Sequence, residues 1–272
     1  MHDPNLAEPA AAARARNLPT PFQMFRYMTG SEHLHFGLFE HVGETVSVAQ
    51  DRMMRRVLSS FPSAVERVLD VGCGIGGTTC ELAARGMYVV AFAPDQGLID
   101  SGRALAEERG VSDHTEFYVA GLQDLPRQGI EPFDVVLSQE SLQYIHPLDE
   151  TMGRLHDLLR PRGRLVIGDQ VLRDPRGRTS VQFHTSADIL SEAASHGLSL
   201  LEHQDVTEMA RHTGPVTLAI LQQEKERIIE FFADQHPQIR EDVEVCLRNG
   251  GEEAQWFVEG QIGYELFSFE RS

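Results

Sequence analysis

The residues best suited to chemistry lie in three places. The first is the run Val68-Leu69-Asp70-Val71-Gly72-Cys73-Gly74-Ile75-Gly76-Gly77. Glycines let backbone N–H groups approach a ligand closely. Gly72, Gly74 and Gly77 also spell G-x-G-x-x-G, the dinucleotide pattern. Asp70 precedes the first glycine by two residues. A carboxylate there would repel a pyrophosphate, but it could hold the ammonium end of a methionine moiety. The acid that a dinucleotide site places at the end of the next strand is missing, because Ala93 stands there. The plainer reading of the glycines is a tight strand–helix turn.

The second place is Glu140, just past the apolar run FDVVLS of residues 133–138. A carboxylate at the mouth of a strand can take a proton from a substrate carbon or nitrogen, or stabilise a passing carbocation. The alternative is a glutamate capping a helix over 141–160. The third place is the set of 12 histidines. Among them His146 follows Glu140 and could line a pocket, with a loop position equally open. Neither the histidines nor Cys73, Cys80 and Cys246 have metal or redox spacing, so no metal is expected.

The elements that must position these residues follow from periodicity. Short apolar runs at 67–72, 87–92, 115–120, 133–138 and 164–169 read as strands. Helical stretches at 77–86, 95–109 and 148–160 separate them. This rhythm predicts a Rossmann-like, doubly wound α/β sheet of about seven strands. It is mostly parallel, with an antiparallel last strand. Residues 21–60 read as helical, and 1–19 as a mobile arm rich in Ala and Pro. Farther on, 185–196 reads as a helix, 198–206 as a strand, 215–235 and 238–258 as helices and 264–270 as the last strand. The expected organisation is an N-terminal arm with helices (1–60), a core (61–206), a helical cap insert (207–258) and a final core strand (259–272).

Composition narrows the function. The net charge of −17 argues against nucleic acid and anionic membrane surfaces as partners. The apolar fraction of 41 % supports a full core. No apolar run approaches the roughly 20 residues of a membrane helix. An odd cysteine count and no secretory signal fit a reducing, cytoplasmic setting.

VLDVGCGIGG resembles motif I of the class I S-adenosylmethionine-dependent methyltransferases. FDVVLSQESLQYI (133–145) and LLRPRGRLVIGD (158–169) resemble the motifs of strands four and five in that family. A finer similarity is to the small-molecule group with sarcosine, tocopherol and geranyl diphosphate methyltransferases. It rests on His35-Phe36-Gly37, Glu140-Ser141, Phe183-His184 and Asp205-Val206-Thr207. The family usually has an acid at the end of strand two and often an Asp after strand three. Here those places hold Ala93 and Gly121.

The resemblance implies S-adenosylmethionine as cofactor, with S-adenosylhomocysteine as product. It implies contacts from Asp70, Gly72, Cys73 and Gly74 at the loop, and from Ser138 on strand four. Pro94, Asp95 and Gln96 would serve the ribose, and Leu122 and Gln123 the adenine. Tyr27 and His35 would reach the cofactor from the N-terminal part; the Tyr27 and Phe36 rings could pack near the sulfonium by cation–π attraction or equally be ordinary helix packing. Glu140 and His184 are the expected catalytic pair. Tyr144 and His146 could line the pocket, and Trp256 and Tyr264 could shape the cap or fill core. The expected partner is a small-molecule methyl acceptor, methylated on carbon or nitrogen, with a homodimer possible. Three alternatives stay open: a cyclase or hydroxylase on the same fold, a nicotinamide oxidoreductase, and a non-catalytic binding protein.

Overall fold

The computed structural model describes residues 20–41, 43–125, 129–174 and 182–272; the expected arm at 1–19 lies outside them. In chain order the elements are α1 (Thr20–Thr29), α2 (Val46–Leu58), β1 (Arg67–Val71), α3 (Gly77–Ala84), β2 (Tyr88–Ala93), α4 (Gln96–Glu108), β3 (Thr115–Val119), β4 (Phe133–Gln139), α5 (Leu148–Asp157), β5 (Leu159–Leu172), α6 (Ser186–Ser195), β6 (Leu198–Asp205), α7 (Thr207–Ala210), α8 (Thr213–Phe232), α9 (Ile239–Val258) and β7 (Ile262–Arg271).

The chain forms two compact units. One comprises residues 54–207 with 260–272 and holds the whole sheet. Its strand order is β3-β2-β1-β4-β5-β7-β6. β1 pairs in parallel with β2 on one side and β4 on the other, and β7 runs antiparallel to both β5 and β6. The central strands are apolar on both faces because helices cover both. Val71 pairs with Ser138 at the carboxyl ends of β1 and β4. The order of strands reverses there, which is where such sheets bind ligands. Across one face, Val71, Val136, Ile167 and Phe267 join Met152, Leu155 and Ile189 of α5 and α6 in a core cluster.

The other unit is helical and includes described residues 20–53 and 208–259. Met24, Tyr27 and Met28 share one face of α1, at the spacing of an amphipathic helix. They cluster with Ile228, Ile229 and Phe232 of α8 and with Ile239 and Val243 of α9.

Three local expectations need correction. Residues 21–60 are not helical throughout, because α1 stops at Thr29 and no helix resumes until Val46. Gly30 takes φ 64° and closes the helix through its N–H to the Arg26 carbonyl. The Thr29 and Ser31 hydroxyls then accept the N–H groups of Ser31 and His33, a local pattern that competes with helix. The helix expected over 148–160 ends at Asp157, since Leu159 already pairs with Phe133. Pro161 and Arg162 (φ 64°) then sit in an irregularity of β5. The one-turn α7 carried no apolar period long enough to read.

Candidate active site

The glycine loop after β1 is shaped chiefly by close packing. Gly72, Gly74 and Gly76 all have positive φ, at 74°, 55° and 83°. A Cβ on Gly72 would lie 2.4 Å from the Ser141 Cβ, and one on Gly76 would lie 2.8 Å from the Gly102 Cα. The first glycine thus admits the segment after β4, and Gly76 lets α3 approach α4. The N–H groups of Gly72 and Cys73 both donate to the Phe92 carbonyl, at 3.0 and 3.1 Å. They pin the loop to β2.

Asp70 lies beneath this loop, 3 % exposed, and accepts a 2.6 Å hydrogen bond from the Thr79 hydroxyl of α3. Burial raises its pKa to about 6 against the opposing pull of Thr79. A buried carboxylate served by one hydroxyl is an energetically poor arrangement that a ligand cation would relieve. The loop and Asp70 therefore fit the amino-acid end of S-adenosylmethionine. The Cys73 thiol is pushed well up by burial and then by the Asp70 charge, so it is no nucleophile.

The positions expected to hold the nucleoside have local partners. Asp95 caps α4 by accepting the Leu98 N–H at 3.0 Å, and Gln96 donates to Asp100 at 2.7 Å. Pro94 between them and Ala93 is exposed. After β3, Asp124 accepts the Gly121 N–H at 2.8 Å. The Leu122 side chain joins the core cluster. A Cβ on Gly121 would stand 2.7 Å from the Gln123 amide. Leu122 and Gln123 also line a cavity of about 340 Å³, with Ile145, His146 and Arg154 among its other walls.

At the mouth of β4 the expected residues meet the loop. The Ser138 and Ser141 hydroxyls bond each other at 2.8 Å, and Ser141 donates to the Val71 carbonyl at 2.6 Å. Ser138 is wholly buried and braces Ser141, whose hydroxyl ties the segment after β4 to β1. Glu140 takes φ 51°, which is uncommon for a residue with a side chain and costs energy. Its N–H donates to the Gly168 carbonyl at 2.8 Å. Asp169, on β5, accepts the Leu142 N–H at 2.9 Å and the Gln170 N–H at 2.8 Å. It also reaches the N–H groups of Ser141 and Gln143. Burial outweighs these donors and pushes its pKa up to about 7.

His184 joins the same turn. It is half-buried, its ring lies 4.9 Å from that of His146, and it reaches the Leu142 and Ile145 carbonyls. Burial first, then His146, lowers its pKa. Its Nε2 is buried without a hydrogen-bond partner.

Tyr27 and His35 belong to the helical unit. The Tyr27 ring packs on Phe231 and Phe232, at 4.7 and 5.7 Å, and Phe36 packs on Phe257 at 5.6 Å. His35 is buried, with Nδ1 2.8 Å from the Phe36 carbonyl and its pKa lowered to about 4 by burial. Its Nε2 is buried without a hydrogen-bond partner. Trp256 lies in α9, whereas Tyr264 lies fully buried in β7 of the sheet unit.

Sequence reasoning did not single out Asp169 or Gln139 and left Tyr264 open between cap and core. The rule that singled out Glu140, a polar residue at a strand's carboxyl end, applies equally to Gln139 and Asp169.

A methyltransferase-domain family model matches residues 69–167. Over 205 residues the chain is 29 % identical to the methyltransferase GfsG of Streptomyces halstedii, covering 69 % of this chain and 73 % of that one. Over 238 residues it is 24 % identical to a glycine/sarcosine/dimethylglycine N-methyltransferase of Actinopolyspora halophila, covering 83 % of this chain and 41 % of the relative. The chain thus spans less than half the length of the second protein. Among solved structures, the cyclase SpnF matches with a TM-score of 0.80 at 19 % identity, covering 100 % of this chain and 98 % of that one; this likeness is one of fold. No helix among the described residues is long and apolar enough to cross a membrane. The glycine loop, the order of the motifs and the matched domain agree: the chain carries a methyltransferase domain and is similar to S-adenosylmethionine-dependent methyltransferases.

Proposed function

We propose that the methyl acceptor is a carbon or nitrogen of a small metabolite and that Glu140 is the base that takes its proton. The observation that carries this is the backbone of Glu140. A left-handed conformation at a glutamate persists only where its surroundings enforce it, and such residues cluster at functional sites. Here the carboxylate sits at the strand mouth, one residue from Ser141, which is bonded to the loop strand β1.

S-adenosylmethionine, when bound, supplies an electrophilic methyl group. Asp70 would hold its ammonium group, and Gly72, Cys73 and Gly74 would form the floor beneath it. Asp95, Gln96, Leu122 and Gln123 are proposed nucleoside contacts, the last two through their backbone. As the acceptor nitrogen or carbon bonds to the methyl carbon, the carbon–sulfur bond breaks and the acceptor's proton passes to Glu140. His184, kept uncharged by its lowered pKa, offers a hydrogen bond to the acceptor rather than a competing cation. In the helical unit, His35 is likewise neutral and has an unpartnered Nε2 that a ligand group can use. The Tyr27 ring is engaged by Phe231 and Phe232, which weighs toward packing. The three free cysteines support a cytoplasmic location.

Glu140→Gln is the direct test. Turnover should fall by roughly 10²–10⁴ while S-adenosylhomocysteine affinity stays within twofold or so. Unchanged turnover in a variant that still binds would remove Glu140 from the mechanism.

A further inference from the structure

One ionisable group near Glu140 has no part in the mechanism above. Tyr264 is wholly buried, near the start of β7. Its backbone is fixed on both sides, with the N–H taken by the Thr207 hydroxyl at 2.9 Å and the carbonyl by the Val206 N–H at 3.0 Å. It pairs across the sheet with Gln170, so its ring lies on the face shared by Gly168 and Gln170. Position 168 has no side chain, and a Cβ there would come within 3.6 Å of the Tyr264 oxygen. The tyrosine therefore runs along β5 to the Gly168 carbonyl, which its hydroxyl approaches at 3.4 Å. The same carbonyl accepts the Glu140 N–H at 2.8 Å. Tyrosine oxygen and glutamate backbone thus converge on one atom, and the Tyr264 hydroxyl reaches the Glu140 carboxylate.

A bond to Gly168 alone would be a weak one for a buried phenol, because 3.4 Å is long for an O–H donor. A carboxylate is the stronger acceptor. We propose that Tyr264 is a positioning residue, which donates a hydrogen bond to the Glu140 carboxylate and holds it ionised and aimed at the strand mouth. Glu140 has an unusual backbone but a long, flexible side chain. Without a fixed partner that side chain would sample several rotamers, and few would suit proton removal. The neighbours agree with this role. Gln139 places its amide beside the tyrosine hydroxyl, and Asp169 is the other carboxylate close enough to act on it. The tyrosine keeps its proton throughout, since burial and these two acids push its pKa well up. It cannot itself serve as the base.

This inference rests on the base role of Glu140, and the test separates the two. Carboxyl carbons of glutamate would be labelled with ¹³C, and Glu140 would be assigned by its loss in Glu140→Gln. Its titration would then be followed in wild type and in Tyr264→Phe, both saturated with S-adenosylhomocysteine. A donor lost from the ionised form raises the pKa, so the Glu140 signal should titrate at higher pH in Tyr264→Phe. The acidic limb of the turnover profile should move the same way. At the optimum, kcat should drop roughly tenfold with both KM values little changed. Asp169 is a second acid close to Tyr264, but the assigned signal reports Glu140 alone. A Glu140 carboxyl that titrates identically in both proteins overturns the proposal. If the signal moves while Glu140→Gln keeps full turnover, the pairing stands and it is the base role that fails.

Discussion

At the scale of single residues, Asp70 is the most informative group. It is buried beneath the glycine loop with one hydroxyl donor and a pKa raised to about 6. An ammonium docking on it would favour the ionised form and lower that pKa. Binding of S-adenosylmethionine between about pH 5 and 7 should therefore release protons, and affinity should fall as pH drops through 6. Calorimetry in buffers of different ionisation enthalpy measures that release. Asp70→Asn should abolish the proton release and weaken binding by about 1.5–3 kcal/mol, the range for a hydrogen bond to a charged group. Equal affinity in the variant would mean the ammonium lies elsewhere. Gly72 makes the complementary point. Its left-handed backbone, and Ser141 at 2.4 Å from any added Cβ, mean that Gly72→Ala strains both conformation and packing. Its unfolding free energy should fall by a few kcal/mol, on the order of other overpacked sites, as chemical denaturation would read.

At the scale of elements, Asp169 joins β5 to the turn after β4. It accepts N–H groups of that turn, yet burial holds its pKa near 7, far above the unfolded value of about 3.9. A carboxyl with a raised native pKa adds stability that is full below its unfolded pKa and is lost as pH rises through its native one. The melting temperature should therefore decline between about pH 4 and 7 and level off above, and Asp169→Asn should flatten that decline. A variant with the wild-type slope would show that Asp169 titrates elsewhere. The elements themselves were largely legible. Strands β1 to β4 lie within a residue or so of their apolar runs; in β1, β2 and β4 this follows because a buried parallel strand reads as a nearly continuous apolar run. The failures were local. HLHFGLFE has helix-like apolar spacing, but Gly30 and the hydroxyls of Thr29 and Ser31 stop the helix just before it. The long β5 was hidden by Pro161 and Gly163, which punctuate most helices and strands but here occupy an irregular stretch at the strand's start.

At the scale of the whole molecule, the sequence could point to Glu140 and the glycine loop because both sit where a strand ends. It could not reveal what holds them. Tyr264 lies more than a hundred residues downstream of Glu140 and meets it only because β7 inserts beside β5. No local pattern encodes that neighbour. Nor could the sequence show that the Gly72 and Cys73 N–H groups are spent on Phe92. Charge is a global property that was readable from the start. A net −17 repels itself, so raising the salt concentration should raise the melting temperature by screening. A melting temperature that fell with salt would mean specific ion pairs outweigh that repulsion.

The most direct test of the central claim is calorimetric titration of the protein with S-adenosylmethionine, S-adenosylhomocysteine and NADH. Saturable binding of both adenosyl ligands, lost or weakened about tenfold or more in Asp70→Asn and absent for NADH, is the expected result. Failure of both adenosyl ligands to bind would contradict the assignment of the glycine loop and Asp70 to the cofactor.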